Sequence, residues 1–260
     1  MPSHDHATHQ LPTTGVALPP LPERPVSEPE FREWALGLGK GARVEWVDGE
    51  TVIMSPENIT SARLEHWLDR VLGEYVDYHE LGEVMAAEVL VRLPEQRTDR
   101  VPDLLFVAKE HADRVKPTHI DGPPDLCIEI VSPASQARDW REKYLEYEAA
   151  GVHEYWVIDP MSRRAEFYAL ETTQHRQDAA DGQGTAGQAS SGTQQAAGPV
   201  SRDLGHGVGP ADTGRYVRLP EKDGVVASRV LPGLKLPVKW LWSDTRPKVL
   251  DALRELEVIG

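Results

Sequence analysis

The chain has 260 residues, 40% of them hydrophobic, with seven tryptophans and a formal net charge of −14, which allows one large domain or two small ones and weighs against nonspecific binding to nucleic-acid phosphates. Its one cysteine, Cys127, excludes an internal disulfide and fits a reducing compartment. No apolar run approaches the roughly 20 residues that cross a bilayer, and the start MPSHDHATHQLPTTG lacks the cationic and apolar regions of a secretory signal, so a cytoplasmic protein with no membrane association is expected.

Residues 1–27 are rich in Pro, His and Thr without period and read as a disordered arm. His4, His6 and His9 are potential metal ligands there, although a solvated tail is the simpler account. Ser27 followed by Glu28, Pro29 and Glu30 is a helix-start pattern, and the helix should run to about Gly37. RVEWVDGETVIM reads as two strands around an Asp48-Gly49 turn. From Ile59 to His79, Leu64, Trp67, Leu68, Val71, Leu72, Tyr75 and Val76 recur at helical spacing and predict one buried stripe, ended by Gly82. VMAAEVLVRL alternates as a strand, with Ala87, Val89, Val91 and Leu93 on one face. RVPDLLFV and DLCIEIV are almost continuously apolar, as central strands covered on both faces are. A helix through RDWREKYLEYEAAG should end at Gly151, followed by strands at HEYWVIDP and RAEFYAL.

Residues 172–213 are Gln, Gly, Ala and Ser with few large apolar side chains and read as a flexible insertion. Strands resume at RYVRL and VVASRVL, LPGLKLPV leads to Trp240, and a last helix around Pro247–Val258 should bury Val249, Leu250, Leu253 and Leu256. The order of elements predicts an α/β fold: a mixed β-sheet flanked by helices, with hairpin extensions at both ends. One domain over 28–245, interrupted by 172–213 and followed by a C-terminal helix in 246–260, fits the pattern better than two domains.

Two acids lie within this apolar frame. Asp103 sits early in its strand, where capping a turn is a common role. Glu129 lies inside DLCIEIV, between Ile128 and Ile130, where an ionised carboxylate is costly unless paired or bound to a cation. An ion pair with Arg92 or Arg138 is one solution, and a metal or catalytic role is the other. Alternation puts Cys127, Glu129 and Val131 on one face, and Lys143 lies in a helical stripe with Asp139 and Tyr147. Lys143 is then either a solvated residue paired with Asp139 or the amine of a site. The thiol of Cys127 is expected to be structural.

Taken together, RVEWVDGETVIMSP, VPDLLFV, DLCIEIVSP, RDWREKYLEYEAAGVHEYWVIDP and VLPGLKLPV resemble the Uma family of restriction-endonuclease-like proteins, within the PD-(D/E)xK nuclease-like superfamily. The likeness spans roughly 30–240 without the insertion. It implies a restriction-endonuclease-like fold and a metal-dependent site that hydrolyses DNA phosphodiesters. Asp103 matches the aspartate of the PD motif and Glu129 the acid of the (D/E)xK strand. Val131 takes the place of the usual lysine, Lys143 matches the lysine carried on the following helix, and Glu45 matches a further acid that completes the site. Ser61 stands where many members have histidine. The resemblance further implies a homodimer. Asp103 and Glu129, with the carbonyl of Ile130, would hold Mg²⁺ or Mn²⁺ through oxygen.

Discounting the two low-complexity segments leaves −11 on the rest of the chain, so a DNA substrate has to be met through metal and a local basic rim. The acidity keeps a second reading open: a catalytically inactive nuclease-fold binding or scaffold protein. Hydrolysis of a smaller phosphodiester is a third.

Overall fold

A computed structural model describes residues 26–38, 43–54, 58–86, 88–132, 135, 137–171 and 214–260. The histidines of the N-terminal arm and the whole 172–213 segment lie outside the described residues. Val26 and Ser27, assigned to the arm by sequence, are part of the packed structure: Val26 is buried, and its carbonyl accepts the Trp46 indole N–H at 2.9 Å.

Helix α1 (Glu28–Gly37) begins as expected, with the Glu30 carboxylate accepting both the N–H and the hydroxyl of Ser27 at 2.9 Å. Strands β1 (Val44–Val47) and β2 (Glu50–Ile53) form a hairpin closed by Asp48 (φ 49°) and Gly49 (φ 96°). These left-handed values suit a two-residue turn. Helix α2 (Ile59–Tyr78) buries all seven residues of the apolar stripe.

Two expected strands are each broken in two. VMAAEVLVRL supplies the end of β3 (Gly82–Ala86) and then β4 (Val91–Leu93), with Glu88 between them at φ 74°. RVPDLLFV gives only the last residue of β5 (Thr98–Arg100), then Val101–Asp103 outside any strand, then β6 (Leu104–Ala108). In both cases the chain leaves one sheet for another. β3 pairs with β6, whereas β4 pairs with β5. A positive φ at Glu88 interrupts the first ladder, and Pro102, having no N–H, cannot extend the second. Alternation across Ala87 to Leu93 therefore does not exist as a single strand, and Ala87 is outside the described residues.

One sheet has the order β2-β1-β5-β4-β7, where β7 is Ile120–Asp121. The larger sheet contains β8 (Leu126–Ile130), β9 (Glu154–Asp159), β10 (Arg164–Glu171) and β11 (Arg215–Arg218), in the order β11-β10-β9-β8-β6-β3. β8 runs antiparallel to β6 and parallel to β9. The crossover between β8 and β9 is a π-helical turn (Arg138–Glu142) running into α3 (Lys143–Ala150), which ends at Gly151 (φ 86°). A third sheet joins β12 (Glu221–Lys222), β13 (Val225–Ala227) and β14 (Lys235–Pro237). The last helix, α4 (Val249–Glu255), packs through Ala252 and Leu253, but Leu250 is 56% exposed, contrary to expectation.

The large sheet is covered on both faces. Leu104, Phe106, Leu126, Ile128 and Ile130 pack with the α2 stripe. The alternate residues Leu105, Val107, Cys127 and Val131 pack with Tyr147 of α3 and with Val91 and Leu93 of the smaller sheet. Strand alternation places Glu129 on this second side.

β5 carries a buried acid that no hydrogen bond among the described residues satisfies. Both oxygens of Asp99 lack a partner, and Arg32 Nε is 3.9 Å away. Burial and the Glu28 charge push its carboxyl up to about 7, against the pull of Arg32 and Arg92. A native state that holds this proton longer than the unfolded chain loses stability as pH rises from about 4 to about 7. Asp99→Asn should remove that contribution. Urea unfolding at pH 4 and pH 7 checks it: the variant should gain on wild type as pH rises, and a constant difference would contradict this.

Candidate active site

The organising group is the ammonium of Lys143, which opens α3 and is fully buried. Its Nζ donates to Glu129 Oε2 at 2.8 Å and lies 3.1 Å from Glu45 Oε1 and 3.7 Å from Asp139 Oδ1. Asp139 precedes Lys143 by one helical turn, and Tyr147 follows it by one. The Tyr147 hydroxyl donates to Glu129 Oε1 at 2.9 Å, so both oxygens of Glu129 are fixed from a single helix face. The reading of Lys143 as a solvated residue is excluded. So is the pairing of Glu129 with Arg92, which binds Glu28 and Asp121 instead.

Glu45 comes from β1. Its Oε2 accepts from Arg100 Nη1 at 2.8 Å, and its Oε1 accepts from the Val101 N–H at 3.2 Å. Arg100 in turn clamps Glu146 with two 2.7 Å bonds. Asp103 stands just before β6. Its Oδ2 accepts the Ile130 N–H at 2.5 Å, and its Oδ1 pairs with Arg43. The N–H and C=O of one strand residue point to the same side, so the Ile130 carbonyl also faces Asp103. Asp103, Glu129, Ile130 and Asp139 line one small cavity of about 70 Å³, with Arg43 and Arg138 at its walls. Lys143 and Glu45 lie behind it. The predicted residues therefore converge, in two linked groups.

Electrostatics follow from this crowding. Burial opposes the charge on Lys143, but Glu129, Glu45, Asp139 and Asp103 outweigh it and hold its pKa above the usual lysine range. Burial pushes Glu45 up, yet Lys143 and Arg100 bring it down to about 2. Burial, and then the neighbouring acids, raise Glu129 despite Lys143. Burial likewise raises Asp139, whose Oδ1 has no hydrogen bond among the described residues. Burial raises the Cys127 thiol, which fits a structural role. Ser61 does not line the cavity; it is bound to the helix-capping Asn58.

The Uma2 family model, described as "Putative restriction endonuclease", matches residues 28–197. The chain belongs to the Uma2 family. A crystal structure from Anabaena variabilis ATCC 29413, described as "a putative nuclease belonging to DUF820", aligns with a TM-score of 0.52 at 15% identity. The alignment covers 78% of this chain and 90% of that one, and at this identity it shows a shared fold. No curated protein matches.

The fit of a divalent cation to this Uma2 chain is tested by its charges. The ion pairs described join five carboxylates (Glu45, Asp103, Glu129, Asp139, Glu146) to three cations (Arg43, Arg100, Lys143), and with Arg138, which lines the same cavity, the acidic groups outnumber the basic ones by one. Asp139, whose Oδ1 has no hydrogen bond among the described residues, lines the same cavity. Among the described residues no three His, Cys, Asp or Glu side chains form a metal cage. Two carboxylates, one carbonyl and water are what remains, an oxygen set that suits Mg²⁺ or Mn²⁺ and not zinc.

Sequence reasoning overlooked three members. Tyr147 was visible in the stripe with Lys143, but its bond to Glu129 was not inferred. Arg100 and Arg43 gave no signal, because their partners are 55 and 60 residues away.

Removing the buried cation should be severe. Lys143→Met leaves three buried acids without their common partner, and we expect a loss of about 3–5 kcal/mol near neutral pH. The loss should shrink in acid, as the carboxyls take up protons. Urea denaturation at two pH values measures both, and a loss below about 1 kcal/mol at pH 7 would contradict the arrangement.

Proposed function

We propose that this chain is a Mg²⁺- or Mn²⁺-dependent endodeoxyribonuclease, hydrolysing phosphodiester bonds in DNA as a cytoplasmic homodimer. The observation that carries the reading is that Asp103 and Glu129 line one cavity while the fully buried Lys143, behind it, holds Glu129 through Nζ at 2.8 Å. Burying an ammonium at the base of an acid pocket is costly to stability, and such costs concentrate where charge chemistry is done.

Asp103, Glu129 and the Ile130 carbonyl would hold the cation. Bound there, it supplies charge for the phosphoryl oxygens and a bound water of lowered pKa. Lys143 keeps Glu129 as an acceptor and fixes its rotamer. Tyr147 does the same from the other oxygen. Glu45 and Asp139 hold the lysine charged, and Arg100 holds Glu45. Arg43 balances Asp103 and fixes its orientation.

One observation favours the second reading, a scaffold that has kept the fold. Both oxygens of Asp103 already have protein partners, Arg43 and the Ile130 N–H. Supercoiled, linear and single-stranded DNA incubated with Mg²⁺ or Mn²⁺ distinguishes the two. The nuclease reading expects cleavage that a chelator stops, and a drop of about 10²- to 10³-fold in Asp103→Asn while the variant still unfolds cooperatively. Intact DNA in every form would favour the scaffold.

A further inference from the structure

We propose that Arg138 is the residue that grips a substrate phosphate at this cavity, an inference that rests on the nuclease reading above. Arg138 opens the π-helical turn that leads into α3 and lines the cavity together with Asp103, Glu129 and Asp139. Its Nη1 donates to Met54 Sδ at 3.2 Å. A thioether is a weak acceptor for a guanidinium with five donors. Among the described residues Arg138 has no carboxylate within ion-pair distance, although its charge is felt by the adjacent Asp139.

The chain has 42 acidic against 28 basic residues. The two other arginines that bind the site's acids are occupied, Arg43 by Asp103 and Arg100 by Glu45 and Glu146. The π-helical turn accounts for the division of labour. Arg138 and Asp139 are adjacent and both line the cavity, yet Asp139 reaches Lys143 while Arg138 reaches Met54. Extra-wide turns of this kind recur where a helix has been shaped for a site.

The size and charge of the cavity select the ligand. At about 70 Å³ it is far below the roughly 300 Å³ of pockets that enclose a whole small molecule. It admits a compact anionic group while the remainder of the substrate stays outside. A phosphodiester presents two nonbridging oxygens, so one can face the carboxylate-held cation and the other the guanidinium fork, whose planar geometry matches it. The end of β2 lies beside Arg138 at this cavity: Met54 accepts from its Nη1, and Ile53, 60% exposed, also lines the cavity.

The test compares wild type, Arg138→Met, Arg138→Lys and Arg141→Met, the last replacing an exposed arginine of the same turn. Affinity for a short fluorescein-labelled DNA duplex is measured by anisotropy in Ca²⁺ over a range of salt, with cleavage in Mg²⁺ and Mn²⁺-binding heat measured alongside. The inference expects Arg138→Met to weaken binding and raise KM about tenfold or more, and to lower the salt slope by about one. Arg138→Lys should recover part of this, Arg141→Met should change little, and Mn²⁺ binding should be unchanged throughout. If the protein cleaves DNA and Arg138→Met matches wild type, or falls only as far as Arg141→Met, the assignment of Arg138 is overturned while the nuclease reading stands. A wild type that neither binds Mn²⁺ nor cleaves overturns both.

Discussion

The burial of one ammonium among three carboxylates sets most of the constraints in this molecule. Lys143 has no exposure to water, so its charge must be balanced by Glu129, Glu45 and Asp139. These partners come from the larger sheet, the smaller sheet and the lysine's own crossover helix. The ammonium therefore ties three parts of the fold to one point. Taking one acid away would leave a buried charge short of compensation, and taking the lysine away would leave several.

The same arithmetic makes the arrangement a costly choice if it served as structural cement alone. A fold seeking stability alone does better with apolar residues of similar size, since desolvating ions offsets most of their attraction. Here the acids outnumber the cations, Asp103, Glu129 and Asp139 line one cavity, and among the described residues Asp139 Oδ1 has no hydrogen bond. The negative excess suits an oxygen-seeking divalent ion, and the guanidinium of Arg138 in the cavity lining suits an anion. The overall charge of −14 opposes DNA at long range, so recognition would depend on a bound cation and on Arg138 at this site.

Much of the frame was legible in the sequence because it follows short-range rules. The α2 stripe, the Asp48-Gly49 turn and the helix end at Gly151 each depend on neighbours within a few residues. Glu129 was conspicuous because a carboxylate between two isoleucines violates the pattern around it. The failures share a cause as well. Alternation from Val84 to Leu93 suggested one strand, but the chain changes sheets at Glu88. Thr98–Arg100 has no apolar signature, yet all three residues are buried, because Arg100 and Asp99 are enclosed by side chains distant in sequence. Leu250 looked like a core residue by helical spacing and instead faces outward. Local pattern reports which face an element could bury, and tertiary pairing decides which one it does.

The candidate site itself divides in the same way. Asp103, Glu129 and Lys143 stood out in the residue pattern and were given roles by the family resemblance, Glu45 came from the resemblance alone, and the i, i+4 stripe contained Tyr147. Their ion-pair partners Arg43 and Arg100 are matters of long-range geometry. The most direct test of the central claim is anomalous diffraction from crystals soaked in Mn²⁺. The account predicts one strong peak within coordination distance of Asp103, Glu129 and the Ile130 carbonyl, with Lys143 still bound to Glu129. No peak at saturating Mn²⁺, or a peak only at some other group of residues, would contradict it.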